Sequence, residues 1–349
     1  MQKRIDAFVK LGNFLSQFNQ SGIEKKEDIE FNDLFFDGLN HQIKIAKENN
    51  SWFTKENILF SLESWSNALK KENILAWIDN QNRTTTSKKV AIIMAGNIPL
   101  VGFHDFLSVL ISGHSVLVKQ SSNDKHLLSF LAKYLEYVEP EFKETIEFTE
   151  EKLTNFDAVI ATGSNNTARY FEHYFKGKPN IIRKNRNSIA VLTGNESEEE
   201  LAELSNDVFQ YFGLGCRSVS KLFVPKDYNF DNFFKGMYNK QAIINNAKYA
   251  NNYDYNKTIY LMSEFDLLEN GFLMIKEDES FTSPIATVFY EYYSDINELK
   301  EELSSKKENI QCIVSNGFIN SEITFGQTQN PQLWDYADGI NTLEFLANI

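Results

Sequence analysis

The sequence predicts an α/β fold, two domains on mostly parallel sheets behind a helical leader, and three observations carry that reading. From residue 90 onward, short apolar runs rich in β-branched residues alternate with helical stretches, the pattern of βαβ units. Before residue 87 the apolar residues recur at helical spacing instead. The chain has 349 residues, which at roughly 150 per domain gives two.

Ile5, Phe8, Val9, Phe14 and Leu15, then Ile58, Leu59, Leu62, Trp65 and Leu69, form the apolar stripes of the leader. QNRTTTSKK, residues 81 to 89, is a polar connector. The expected strands are VAIIM (90 to 94), SVLVK (115 to 119), DAVIA (157 to 161), SIAVL (188 to 192), VSKLFV (219 to 224), TIYLM (258 to 262), ATVFYEY (286 to 292) and IQCIVS (310 to 315). Between the first two lies PLVGFHDFLSVLIS, with Pro99 suited to a first helical turn and Gly113 to a C-terminal cap. Ser197 and Glu200 make a capping box for a helix that runs to about Phe212.

Composition narrows the function. A formal charge of -13 argues against a general nucleic-acid or anionic-membrane surface. Two cysteines make no disulfide framework. The amino terminus is interrupted by Asp6 and Lys10 before a signal-like apolar run develops. Residues 90 to 104 are uncharged but broken by Gly96, Asn97 and Pro99, and too short to span a membrane. A cytoplasmic protein with reduced thiols is expected. The five histidines show no metal-ligand spacing.

Several strings could carry chemistry. VAIIMAGNIP places Asn97 in a turn between a strand and a helix, where it either caps the helix or donates to a developing oxyanion. SVLVKQSSND closes a strand with Lys119 and follows it with Ser121 and Ser122, either a surface lysine beside a helix cap or donors for a ribose or phosphate. DAVIATGS ends in Thr162, Gly163 and Ser164, a ligand-facing loop or an ordinary turn. Lys176, Lys178, Arg183, Lys184 and Arg186 form a basic run, a phosphate site or a solvated helix edge. FGLGCRSVS has glycines after a helix and before a strand, the reverse of a dinucleotide fingerprint. It sets Cys216 in a flexible loop beside Arg217, either a structural cysteine or a thiol that its cationic neighbour activates. Cys312 lies in an apolar run and reads as packing.

Taken in order, AGNIP, LVKQSS, ATGS and GLGC resemble the motifs of the aldehyde dehydrogenase superfamily. Within it, RKNRNSIAVLTG, GLGCRSVSKLFVP and FGQTQNPQLWDYADGINTLEFL make residues 88 to 349 look like the LuxC-type fatty acyl-CoA reductase family. The resemblance implies an aldehyde dehydrogenase-like fold, with a Rossmann-like NADP(H) domain over residues 1 to 195, completed by 326 to 349, and a catalytic domain over 196 to 325. It implies that Cys216 forms a thioester with the acyl group and that Asn97 donates to the oxyanion. Lys119, Ser121 and Ser122 would hold the adenosine ribose or its phosphate, and Thr162, Gly163 and Ser164 the nicotinamide side.

Two departures sharpen the expectation. NAD-preferring relatives of the superfamily commonly carry Glu where this chain has Ser122, which favours NADPH. The hydrolytic E-L-G-G string has no counterpart in IIRKNRNSIAV, so a thioester escapes hydrolysis and is reduced. The expected reaction is NADPH-dependent reduction of a long-chain fatty acyl-CoA, or an acyl-protein thioester, to the aldehyde. An acyl-protein ligase as partner and a homo-oligomeric state are expected as well. The alternatives are an NAD(P)-dependent aldehyde dehydrogenase and a cysteine acyltransferase that uses no nucleotide.

Overall fold

The computed structural model describes residues 1–79, 86–320 and 322–349, so residues 81 to 85 of the connector lie outside the described residues. The chain forms two compact units, Met1–Lys184 with Gln332–Ile349, and Asn185–Pro331.

The first unit opens with the leader: α1 (Gln2–Leu15), a short ladder of β1 (Phe18–Asn19) and β2 (Gly22–Ile23), α2 (Asn32–Asn49), α3 (Lys55–Ala68) and α4 (Lys71–Ile78). Then follow β3 (Lys89–Ile93), α5 (Phe103–Ile111), β4 (Ser115–Lys119), α6 (Leu127–Val138), β5 (Ile146–Phe148), β6 (Ala158–Thr162), α7 (Asn165–Phe175) and β7 (Asn180–Arg183). The sheet is parallel, in the order β5-β4-β3-β6-β7. Alternate residues of each strand serve opposite faces. Val90, Ile92, Val116, Val118 and Ile160 pack with Phe8, Phe14, Leu62, Leu107 and Leu131 of the surrounding helices. Ala91, Leu117, Val159 and Ala161 pack with Phe156 and Phe175 on the other side. Burial of both faces is why these strands read as unbroken apolar runs.

The second unit comprises β8 (Asn187–Val191), α8 (Glu198–Phe209), β9 (Val219–Pro225), α9 (Phe230–Met237), α10 (Ala247–Met262), β10 (Leu267–Glu269), β11 (Met274–Glu277), β12 (Thr287–Tyr293), α11 (Ile296–Ser305) and β13 (Ile310–Val314). Its sheet has the order β10-β11-β12-β9-β8-β13, parallel except for β10 against β11. β8 lies between β9 and β13, so the second unit begins ahead of it, earlier than the boundary expected at 195. At its other end this unit holds residues 326 to 331; the chain rejoins the first unit at Gln332, where α12 (Thr342–Ala347) packs.

One expected strand is a helix. TIYLM ends α10, which starts at an Asn246 cap accepting from the N–H groups of Lys248 and Tyr249. Its apolar side chains do not make a core strand: Ile259, Leu261 and Met262 are 40%, 57% and 81% exposed. Among the described residues no helix is long and apolar enough to cross a membrane.

Candidate active site

The site residues expected from the sequence fall on both units, and each set takes its geometry from its own sheet. In the first unit Asn97, Lys119 and Thr162 stand at or just beyond the carboxyl ends of β3, β4 and β6, three neighbouring strands. The chain runs from β3 through β4 to β5 on one side, then returns to place β6 and β7 on the other. β3 therefore borders the topological switch point, where parallel α/β sheets bind ligands.

The turn after β3 is held from several sides. The N–H of Met94 donates to the carbonyl of Lys119 at 3.0 Å, and Ser61 Oγ donates to the carbonyl of Pro99 at 3.0 Å. Gly96 packs so closely on the loop after β4 that an added Cβ would stand 2.5 Å from Ser121 Oγ. Asn97 is exposed in this turn. It does not cap the following helix, because α5 starts at Phe103 behind Gly102, and Pro99 likewise precedes that helix rather than entering its first turn. Leu100 adopts φ 57°, a left-handed conformation unfavourable for a side chain of its size. Its N–H donates to Asp124 Oδ2 at 2.8 Å. Asp124 is buried and its Oδ1 has no hydrogen-bond partner among the described residues; desolvation raises its pKa to about 6.

Lys119 is half-buried and donates through Nζ to the carbonyl of Glu151 at 2.9 Å. Ser121 Oγ accepts from the N–H of Asn123 at 3.3 Å. Ser122 is exposed, with its carbonyl accepting from Asn49 Nδ2 of α2 at 3.1 Å. Neither serine caps α6, whose N-cap position is His126. Beyond β6, Gly163 donates through its N–H to the carbonyl of Arg183 at 3.3 Å, and Thr167 and Phe171 crowd the place of its missing Cβ. Ser164 is the N-cap of α7, its Oγ accepting from the N–H of Thr167 at 3.2 Å.

The basic run is largely absorbed by structure. Arg183 is buried, pairs with Asp105 of α5 at 2.6 Å, and donates to the carbonyl of Ala337 and the hydroxyl of Thr342. Lys184 pairs with Glu172 at 2.7 Å, and Arg186 donates to the carbonyls of Lys307 and Ile310. Lys178 donates to the carbonyl of Phe156 and lies over its ring.

In the second unit Cys216 is exposed in the turn that enters β9, and Cys312 is buried in β13. The Cys216 carbonyl accepts from Ser188 Oγ of β8 at 3.0 Å. Arg217 Nη1 donates to the sulfur of Cys312 at 3.3 Å, so the cation adjacent to Cys216 in sequence also reaches the packed thiol. Upstream, Tyr211, Phe212 and Gly213 form a left-handed turn, with φ of 55°, 59° and 75°. For the two aromatic residues this conformation costs about 1–2 kcal/mol each, and it persists only where the surroundings impose it.

Sequence reading alone passed over the polar residues on either side of this turn. Asp207, at the end of α8, accepts from the N–H of Gly326 at 2.7 Å and from the N–H and Oγ1 of Thr328 at 2.9 and 2.8 Å. Gln329 Nε2 donates to Ser218 Oγ at 3.3 Å. Burial, opposed by these bonds and aided by Glu203, raises Asp207 to about 6. Gly326, Thr328 and Gln329 lie in the string FGQTQNPQ, whose polar composition is that of an ordinary turn and gave no sign of their burial.

Comparison with solved structures agrees with the architecture. Aldehyde dehydrogenase 21 of Physcomitrella patens, solved with succinate, is 13% identical at a TM-score of 0.61, covering 90% of this chain and 72% of that one. The indole-3-acetaldehyde dehydrogenase AldA of P. syringae, solved with NAD+, gives 12% and 0.62 over 90% and 71%. An NAD-dependent benzaldehyde dehydrogenase of Corynebacterium glutamicum gives 12% and 0.62 over 89% and 76%. No curated protein matches the sequence. The fold is therefore that of the aldehyde dehydrogenases. The family described as acyl-CoA reductase (LuxC) matches residues 16–240, from the leader through the three strand-end turns and the Cys216 loop to the end of α9 and beyond. The chain belongs to the LuxC acyl-CoA reductase family, and is an oxidoreductase acting on aldehyde or acyl groups.

Proposed function

We propose that this protein reduces a long-chain fatty acyl-CoA, or an acyl-protein thioester, to the fatty aldehyde with NADPH, through a thioester on Cys216. The observation that carries the reading is the placement of Cys216: an exposed thiol in a turn whose backbone is fixed by Ser188, behind a strained turn, in a chain of the acyl-CoA reductase family.

In this reading Cys216 Sγ attacks the acyl carbonyl carbon, a C–S bond forms, and the CoA thiolate leaves with the electrons of the broken thioester bond. Asn97 donates to the oxygen that gains charge in the tetrahedral state. Segment 181 to 191 holds no carboxylate to activate water, which preserves the thioester. Release of aldehyde breaks the C–S bond and returns the cysteine thiolate.

The strand ends of the first unit suit a nicotinamide dinucleotide. Gly96 and Gly163 let the strand-end turns pack closely, against Ser121 and against Thr167 and Phe171, and Lys119, Ser121, Ser122 and Thr162 supply a cation and hydroxyls near them. When bound, NADPH supplies the hydride for the thioester carbonyl. Ser122, uncharged and exposed, is the residue that admits a 2′-phosphate. Ser164 already has its hydroxyl engaged as a helix cap, so its part falls to the backbone.

The test is loss of NADPH absorbance on adding acyl-CoAs of several chain lengths, with the aldehyde identified as product. Acyl exchange without NADPH oxidation would make the protein an acyltransferase, and faster oxidation of aldehyde to free acid would make it an ordinary aldehyde dehydrogenase.

A further inference from the structure

The segment that carries Cys216 begins at the end of α8 and finishes where β9 starts, and residues 326 to 329 reach both of its ends. At the near end Asp207 accepts three hydrogen bonds from Gly326 and Thr328. At the far end Gln329, itself buried, donates to the buried hydroxyl of Ser218, two residues past Cys216. Between these anchors lie Tyr211, Phe212 and Gly213 in the left-handed region. Local interactions alone do not hold such a turn, since a relaxed chain would leave it.

Gly326 suits its place: its φ is 79° and Glu203 occupies the space where a Cβ would go. Every oxygen of Asp207 has a donor, and two of the three donors are backbone N–H groups, which cannot rotate away. The pattern is that of a brace built across a loop.

We propose that residues 326 to 329 act as a staple that fixes the Cys216 loop, with Asp207 as the positioning residue on which it closes. The inference rests on Cys216 being the acyl acceptor. Asp207 is fully buried; it acts by holding the loop in the geometry from which Cys216 attacks, and small losses of such geometry slow reactions steeply.

The experiment compares the full-length protein with Asp207→Asn, Thr328→Val and Thr328→Ser. Asp207→Asn turns an amide N–H2 toward a group that already donates. It should slow acylation of Cys216 by a labelled acyl-CoA about ten-fold or more, with NADPH affinity unchanged. Thr328→Val, which loses one of the three bonds, should slow acylation by a smaller factor, and Thr328→Ser should restore the wild-type rate. A folded Asp207→Asn protein that acylates at the wild-type rate overturns the staple, as does an equal loss of acylation and NADPH affinity. Should Asp207→Asn not fold, Thr328→Val against Thr328→Ser decides the matter by the same criteria.

A second readout separates this inference from the reading beneath it. Alkylation of Cys216 by iodoacetamide, followed on its own peptide, needs neither acyl donor nor nucleotide. If wild-type Cys216 takes no acyl group, the thioester reading falls, and the alkylation rates of the same variants still judge the staple. Rates that are the same in Asp207→Asn and wild type would sink it.

Discussion

In the turn after β3, Leu100 stands at φ 57° and its N–H is held by one oxygen of Asp124, whose other oxygen has no partner. In the loop before β9, three consecutive residues are left-handed, and Asp207 at its foot has both oxygens bonded by three donors. Burial raises both aspartates to about 6. The same titration thus arises from unlike constructions. Asp207 is a filled anchor, and Glu203 nearby offsets part of what its donors do. Asp124 is a lightly bonded carboxyl, so the turn bearing Asn97 has one charged hydrogen bond to lose where the Cys216 loop has three. By this measure the Cys216 loop is the more firmly held of the two.

The sharpest test of the Cys216 side is loss of the thiol. Cys216→Ser is expected to abolish turnover and acyl labelling. Cys312→Ser should keep both, because it is buried in β13 and a serine oxygen can still accept from Arg217. Equal loss in two folded variants would remove the distinction between an exposed and a packed thiol.

On the Asn97 side the effect should be large but partial. Asn97→Ala is expected to lower kcat by about 100-fold with cofactor binding nearly intact, as for an oxyanion donor. Asn97 is exposed and is not the cap of α5. Normal kcat with weakened cofactor binding would reassign it to the nucleotide.

Ser122 tests the neighbouring loop. Ser122→Glu should erase or reverse an NADPH preference, by about ten-fold or more, since a carboxylate repels a 2′-phosphate and accepts from a free ribose diol. The carbonyl of Ser122 is tied to Asn49, so the loop should keep its path in the variant. Titration of both cofactors decides it, and an unchanged ratio means that Ser122 does not face the ribose.

The strands most legible in the sequence were those buried on both faces, such as SVLVK and VSKLFV, because an unbroken apolar run of that length has few other uses. Periodicity failed at TIYLM, where β-branched and aromatic residues sit on an exposed helix end and the deciding feature is a cap at Asn246, twelve residues earlier. It also passed over the β10 and β11 hairpin, although Asn270 and Gly271 between them are a strong hairpin signal. That Asn97, Lys119 and Thr162 lie at or beyond strand ends could be read from the strand strings. The two aspartates could not, because what distinguishes them is the partner each meets through folding: Leu100 for Asp124, and a turn more than a hundred residues away for Asp207.

The smallest expected effect concerns Asp124 and the pH dependence of stability. Its folded pKa of about 6 lies above the ordinary 3.8. Stability from this group is therefore fully present below 3.8 and is lost as pH rises through about 6, because the ionised carboxylate is better solvated in the unfolded chain. Asp124→Asn keeps an acceptor for the Leu100 N–H and removes the titration. It leaves an N–H2 group where the unpartnered oxygen was, so the variant begins at a disadvantage at low pH. Relative to wild type it should gain about 1 kcal/mol between pH 5 and pH 8, measured as the change in the difference of urea unfolding free energies. Asp207 titrates in both proteins and cancels. A difference independent of pH would mean that Asp124 is ionised throughout the range, and the contrast between a lightly bonded and a filled aspartate would fail.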